Sequence, residues 1–529
     1  MFFSLKKLLY LLGTMKKINS VSVVIIALAL IKFMLPFLLQ SSYYEPHRDE
    51  FLYLAEGHHM AWGFMEIPQL LSVFAWLIHA CGDGMFWIKF WPSLFGVFTF
   101  IIVAKTIVSL GGKIFAVLLG FFPFITGSYL RIHYLFQPNF LEIFFWTAIA
   151  WSMISYIQTQ KNKWLYIFGA CVGLGMMSKY SVSFFVLSIL IGLLLTRQRK
   201  IFGNRHLYGA GLLAFIIFLP NLLWQYHHHF PVVYHMKKLQ ETQLQYVSPA
   251  SFLIDQLIMN LPCVFIWIAG LVFVSFTRKT NQYRFIGWAY VAVIVLLLLG
   301  HGKNYYALGV YPILFAFGAF TLEQLTVARF KILRYVFVLV PVVLGYLFIP
   351  VALPILEPLK LAALYERRHV DKTGALKWED LKNHPLPQDF SDMLGWDEMA
   401  KKTAAAYNTL DSNEKKTAIL FCDNYGQAGA VNYYGSKYKI PAAYSDNASF
   451  LYWIPDKFDF DNIVLLTDDE QEMQHPFIKN FKSAVLFDSV TSYYAREKGS
   501  LIIVLKGADS TFKKFFIEKI EKDKAKVKY

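Results

Sequence analysis

Apolar runs and short polar turns alternate from about residue 21 to residue 350, and then the alternation stops. A bilayer core is crossed by about 20 apolar residues in a helix. About eleven runs of that kind are predicted as spans, over residues 21–40, 86–104, 114–130, 140–157, 164–177, 181–195, 207–224, 257–276, 285–300, 307–325 and 332–350. Residues 70–81 are apolar but too short to cross. With 49–60 they predict helices lying at the membrane surface. Residues 2–12 suggest another surface helix, while 21–40 lacks a small-residue cleavage pattern and is expected to be retained as the first span.

Beyond about residue 353 the pattern shortens. Buried strands are predicted at 417–422, 462–466, 483–487 and 500–505, and helices at 397–410, 427–434 and 468–480, with a basic helix or tail over 506–529. Strands alternating with helices predict a small α/β domain with a largely parallel sheet. The chain therefore divides into 1–352, a membrane domain with its core motif region at 45–225, and 353–529, the α/β domain.

The turns carry charge asymmetrically. With a cytoplasmic N-terminus, the inner turns hold Lys6, Lys7, Lys16 and Lys17, then Lys105 and Lys113, Lys161 and Lys163, Arg197 to Arg205, Arg278 to Arg284 and Arg329 to Arg334. The opposite turns hold only Arg48, Arg131, Lys179, Lys237, Lys238 and Lys303. This positive-inside pattern puts residues 41–69 and the C-terminal domain outside. In a bacterial cell that is the periplasmic side of the inner membrane.

Composition agrees. The 529 residues are 56% hydrophobic, 18% aromatic and 16% charged, against about 25% charged in soluble domains. The net charge of +15 reads as topology rather than nucleic-acid binding, because the basic residues sit in short turns. Cys81, Cys171, Cys263 and Cys422 form no CxxC pair, which argues against a disulfide framework or a zinc knuckle.

One outer turn is unlike the others. Residues 41–69 hold Glu45, His47, Arg48, Asp49, Glu50, Glu56, His58, His59 and Glu66 beside an apolar span, and polar groups so placed generally serve a function. Asp49 and Glu50 are the candidate catalytic acids: a partly desolvated carboxylate can act as a general base. Their bland alternative is capping the helix that starts near Phe51. Glu66 with His58, His59, His228, His229 and His235 could form a divalent metal site, with Glu66 and His229 as its named pair, although interfacial histidines are common without one. Arg48, Arg131, Lys179, Tyr180, His301, Lys303 and Tyr306 lie at outer span ends and could converge on phosphate; lipid-headgroup contact is the alternative. Asn139 and Glu142 open the fourth span, and Asp423 to Ala430 follow a strand, where α/β sheets bind ligands or simply turn.

The segments DEFLYLAEGHHMAWGFMEIPQL (49–70), GLGMMSKYSVSFF (173–185), FLPNLLWQ (218–225), GKNYYALGVYPILFAFGA (302–319) and DNYGQAGAVNYYG (423–435) give the chain a family likeness. It resembles bacterial membrane glycosyltransferases of the family 39 type, relatives of protein O-mannosyltransferases and of the aminoarabinose transferase that modifies lipid A. The resemblance implies a GT-C multi-pass helical bundle, mainly α, with surface helices in the first outer loop. It implies inverting transfer of a sugar from a polyprenyl-phosphate donor to an envelope acceptor, which is a glycolipid, glycan or protein. It selects Asp49 as base or acceptor-positioning group, Glu66 as the second-motif acid, and Lys179, Lys303 and Arg131 as cations for the leaving phosphate. The chain departs from the pattern at Ile67, where the lipid A enzyme has Lys, and at Asn139, where many relatives have Asp. Two other classes stay open: a flippase for lipid-linked sugars, which would favour internal repeats that the sequence lacks, and a non-catalytic envelope binding protein.

Overall fold

A computed structural model describes residues 20–328, 330–456 and 459–527. The expected surface helix over 2–12 lies outside the described residues. Among the described residues seven helices are long and apolar enough to cross a membrane: Ser20–Leu39, Met85–Ser109, Asn139–Thr159, Arg205–His227, Asn281–Leu299, Asn304–Val327 and Leu333–Ala352. Two bent pairs, Val182–Leu194 with Arg197–Gly203 and Pro249–Ile258 with Leu261–Phe276, raise the count to nine. The eleven expected are not reached. The 114–130 run is cut at Pro123 and Gly127 into Ile114–Phe121, Pro123–Thr126 and Ser128–Ile132, because proline cannot donate to the turn before it. Lys163–Met176 has 14 residues, so it rises only about 21 Å.

Burial orders the bundle. In its most apolar window Asn139–Thr159 is 89% buried, whereas Ser20–Leu39 is 22% and Leu333–Ala352 is 17% buried. The first is the central post and the other two face outward. Trp146 on the post stacks on Phe185 with ring centroids 4.6 Å apart.

The first outer loop forms two helices, Arg48–His58 and Leu70–Ala80. His47 caps the former: its Nδ1 accepts from the Asp49 amide at 3.1 Å, and Glu50 Oε2 accepts from the His47 amide at 2.7 Å. Glu50 is fully buried. Lys89, on the Met85–Ser109 span and also fully buried, donates to both Glu50 oxygens at 2.7 Å, and the Phe136 amide donates to Oε1 at 2.6 Å. The expected catalytic role for Glu50 is corrected here: its oxygens are taken up in capping the helix and holding it to the bundle.

The C-terminal sheet has strands β1 (Ala418–Cys422), β2 (Ala443–Tyr444), β3 (Asn462–Thr467), β4 (Phe481–Ser489) and β5 (Leu501–Ala508), in the order β2-β1-β3-β5-β4. The β1 pairings are parallel and the β5 pairings antiparallel, so the sheet is mixed rather than largely parallel. The helix expected over 468–480 is instead two short 3₁₀ turns, Glu472–Gln474 and Pro476–Asn480, with Pro476 interrupting it.

This domain packs directly on the first outer loop. The Tyr425–Tyr438 helix carries Gly426 against Arg48 and Gly429 against the Phe51 backbone, where an added Cβ would lie 2.6 Å from Arg48 Cγ and 3.0 Å from Phe51 carbonyl carbon. The glycines of the DNYGQAG segment thus serve close helix approach. Phe51 completes an aromatic cluster with Trp396 and Tyr433, at 5.5 Å from each. Glu45 accepts from the amides of Trp396 and Asp397 at 2.7 and 2.8 Å, capping the Trp396–Asn408 helix from across the chain.

Removing one partner of a buried ion pair leaves the other charge uncompensated, typically at about 3–5 kcal/mol. Lys89→Met is therefore expected to lower the thermal midpoint of the detergent-solubilised protein markedly, and adding Glu50→Gln should recover much of the loss. A single variant melting with the wild type would show that the pair does not hold the loop.

Candidate active site

Because His47 and Glu50 cap the loop helix, Asp49 is free for other contacts. Its Oδ1 accepts from the Tyr425 hydroxyl at 2.7 Å, and its Oδ2 accepts from Gln137 Nε2 at 3.2 Å. Tyr425 is the first residue of the docked helix, presented by the Asn424 N-cap. Arg48 lies over the Tyr425 ring at 4.6 Å, with Nε 4.0 Å from Glu497. Arg48 therefore braces the α/β domain against the loop.

A chain of hydrogen bonds leaves Asp49 toward the bundle. Gln137 Oε1 accepts from Asn139 Nδ2 at 3.3 Å, and Asn139 Oδ1 accepts from Lys179 Nζ at 2.7 Å. Lys179 also donates to Glu142 Oε2 at 2.7 Å, and the Ser181 hydroxyl donates to Glu142 Oε1. The Lys179 ammonium lies over the Tyr306 ring at 4.5 Å and the Tyr305 ring at 5.7 Å. Asn139 and Glu142, the two residues noted at the head of the fourth span, are both in this chain.

Lys303 is the contrasting cation. Among the described residues its ammonium has no ion pair and no hydrogen bond. It is half-buried and within electrostatic reach of both Asp49 and Lys179. Burial lowers its pKa, Glu379 and Asp49 work against that, and Lys179 adds to the lowering. Burial pushes Asp49 up, but His47, the Tyr425 hydroxyl, Arg48 and Lys303 more than offset it and hold the carboxyl below its ordinary 3.8. Asp49 is thus an ionised carboxylate at neutral pH. Burial and the Asp49 charge push the Tyr425 hydroxyl well up, which keeps it a donor.

The other expected residues fall around this centre. Tyr180 donates to Asn221 Oδ1 at 3.2 Å and accepts from Gln225 at 2.7 Å. Glu66 accepts from the Ser449 amide at 2.9 Å and the Ser449 hydroxyl at 2.5 Å. Burial raises the Glu66 pKa against those bonds. Arg131 is not a free cation: it donates to Asp389 at 2.7 Å and to the carbonyls of Val351 and Ala352 at 2.5 and 3.3 Å. Those contacts tie the second outer turn to the end of the last span. His301 is exposed, with φ +50°, and makes no contact with Asp49. His229 is exposed, with φ +59°.

Sequence reasoning missed Gln137 and Ser449, and took in Tyr425 and Glu56 only as members of longer segments without a role of their own. Glu56 is fully buried, and neither carboxylate oxygen has a hydrogen-bond partner among the described residues. Burial and the nearby Glu66 push it well above the ordinary carboxylate range. Tyr425 had a signal, the DNYGQAG turn after a strand; Gln137 had none beyond preceding a span.

ArnT from Cupriavidus metallidurans, bound to undecaprenyl phosphate, superposes with a TM-score of 0.60 at 12% identity, over 91% of this chain and 97% of ArnT. The chain has the GT-C fold. The apo form of the same ArnT gives a TM-score of 0.59 over the same shares, also at 12% identity. The oligosaccharyltransferase AglB from Archaeoglobus fulgidus, in complex with an inhibitory peptide and a dolichol-phosphate, gives 0.46 at 12% identity, over 86% of this chain and 70% of AglB. Residues 67–224 match the family described as dolichyl-phosphate-mannose-protein mannosyltransferase. That match takes in Gln137, Asn139 and Lys179 but begins after Asp49. No curated protein matches the sequence. In this GT-C chain Asp49 is held jointly by the bundle, through Gln137, and by the α/β domain, through Tyr425.

A depressed carboxylate pKa contributes stability that is present above the unfolded value and lost as pH falls through the folded one. Tyr425→Phe removes a bond to the charged form, so the Asp49 pKa should rise toward its ordinary value. The acid limb of any activity that needs this carboxylate should then move to higher pH. An unshifted acid limb would show that Tyr425 does not set the charge of Asp49.

Proposed function

We propose that the protein is an inverting glycosyltransferase that moves a sugar from a polyprenyl-phosphate donor to an acceptor of the cell envelope. The observation that carries this reading is the pairing of an ionised, partly accessible Asp49 with an unpaired Lys303 beside it. A base and an uncompensated cation are the two groups needed when a hydroxyl displaces a phosphate. The acceptor oxygen bonds to the anomeric carbon, the bond from that carbon to the phosphate oxygen breaks, and the hydroxyl proton passes to Asp49. Lys303 then faces the growing charge on the departing polyprenyl phosphate. Lys179 is held by Asn139 and paired with Glu142, so it shapes the site beside Lys303 without adding a free charge.

The GT-C fold and the match at residues 67–224 to a family named for dolichyl-phosphate-mannose-dependent transfer support the reaction class. The undecaprenyl phosphate named with ArnT supports the donor class. We read the site as periplasmic, in an inner-membrane protein with a cytoplasmic N-terminus. The reading with eleven spans is an odd count, which leaves the α/β domain of 353–529 on the side opposite the N-terminus and on the same side as Asp49. The envelope acceptor is a glycolipid, glycan or protein.

Asp49→Asn should lose transfer by roughly 10²–10⁴-fold, the usual contribution of a positioned base, with donor binding and folding retained. Lys303→Ala should lower turnover and weaken binding of the free polyprenyl phosphate product. The assay is mass spectrometry of envelope glycolipids and glycans from cells carrying each variant, alongside lipid binding by the purified protein. Full transfer by the Asp49→Asn protein would refute the mechanism. Lipid-linked sugar moving across vesicles with no acceptor ever modified would favour a flippase.

A further inference from the structure

The first outer loop carries a second cluster of reactive side chains, separate from Asp49. His58 ends the Arg48–His58 helix, His79 lies in the last turn of the Leu70–Ala80 helix, and Asp83 sits in the turn that follows. One ligand atom from each lies within 4.8 Å of the other two. Gly57 makes the meeting possible: an added Cβ there would lie 2.7 Å from Ala75 Cβ, so the two helices touch.

The hydrogen bonds around His79 leave one nitrogen open to a cation. Its Nε2 lies 2.7 Å from the Leu54 carbonyl oxygen, which only accepts, so Nε2 carries the proton. In neutral imidazole the other nitrogen, Nδ1, is then a lone pair. It faces Asp83 Oδ1, another acceptor. Two acceptors in contact need a positive species between them, either a second proton or a metal ion. A backbone carbonyl on the far nitrogen is the usual second-sphere partner of a metal-bound histidine. His58 decides between the two. Its ring is stacked on His79 at 3.6 Å, is exposed, and makes no hydrogen bond among the described residues. A proton shared by His79 and Asp83 has no use for it, whereas a metal ion takes it as a third ligand once the ring turns off the His79 face. The His79 side chain is 11% exposed and that of Asp83 41%, so the site is floored by protein and open to solvent on one side.

We propose that His58, His79 and Asp83 bind a divalent transition-metal ion, zinc by ligand type, with a fourth position left to water. Two imidazoles and one carboxylate are typical zinc donors. The ion's role is to clamp. Asp83 has φ +58°, and its carbonyl accepts from the Tyr433 hydroxyl of the docked helix at 2.5 Å. Fixing Asp83 to both loop helices therefore fixes the far end of the contact that brings Tyr425 to Asp49. The ion acts as a structural tie between the loop and the α/β domain and takes no part in transfer, so the inference stands apart from the proposed reaction.

The test uses the full-length protein in detergent without a polyhistidine tag. It is stripped with chelator and titrated with Zn²⁺, and separately with Co²⁺, followed by calorimetry and the visible spectrum. The expected result is about one tightly held ion per chain with a four-coordinate cobalt spectrum, and a thermal midpoint that rises on adding zinc. His58→Ala, a change at an exposed position, should fold normally yet lose most of the affinity and the midpoint rise, as should Asp83→Asn. Glu66→Gln should keep both. Zinc binding that is unchanged in His58→Ala, absent from the wild type, or lost in Glu66→Gln instead would overturn the assignment.

Discussion

The buried contact between Glu50 and Lys89 is the constraint on which the rest of the structure depends. Two charges withdrawn completely from solvent persist only when nearly every donor and acceptor is met. Glu50 meets that condition by accepting from Lys89, from the Phe136 amide and from the His47 amide at once. The second span, the segment leading into the central post and the start of the loop helix are thereby joined at one carboxylate. The preceding residue, Asp49, is left with a fixed backbone and a side chain not used in capping, which Tyr425 and Gln137 then orient. A catalytic carboxylate needs that combination of rigidity and availability.

The α/β domain then finishes what the membrane domain begins. Without it, Asp49 would hold one hydrogen bond, from Gln137, and its accessible face would be unrestrained. Docking of the Tyr425–Tyr438 helix adds the Tyr425 hydroxyl, while Ser449 fixes Glu66 from the same domain. The glycines at 426 and 429 permit this because they let helix backbone approach Arg48 and Phe51 to contact distance. The domain is thus part of the site's architecture rather than an appendage to it. Its position on the sheet follows the general rule for α/β folds: Tyr425 leads the helix that leaves the carboxyl end of β1.

The fold class and the importance of residues 41–69 were legible in the sequence, because dense charge beside an apolar span is conspicuous. The assignment of roles within the loop was not. Asp49 and Glu50 are adjacent carboxylates with the same capping propensity, and only the partners, 39 and 376 residues away in sequence, separate a structural acid from an available one. Arg131 misled for the same reason: it resembles a free outer cation until Asp389, 258 residues on, is folded against it. Gln137 was invisible because an uncharged amide before a span is ordinary. Strand β2, with two residues, is shorter than any pattern can register. The count of about eleven spans is not matched by long helices, because local chemistry breaks the 114–130 run at Pro123 and Gly127.

Charge bookkeeping explains why an unpaired Lys303 matters more than its paired neighbour. Lys179 is already matched by Glu142, so that pair presents little net charge to an arriving ligand. Asp49 and Lys303 form the reactive remainder, one negative and one positive. In the proposed reaction a sugar phosphodiester enters with one negative charge. As its bond to the sugar breaks, the phosphate gains a second charge while Asp49 gains a proton and becomes neutral. The total is unchanged, but one unit of negative charge has moved from Asp49 toward Lys303. An electrostatic site preorganised for the transition state rewards that displacement. It does so here because the attraction that steadied Asp49 in the resting protein is released to the leaving phosphate as the proton arrives. A cation already locked to its own carboxylate has no such attraction to transfer.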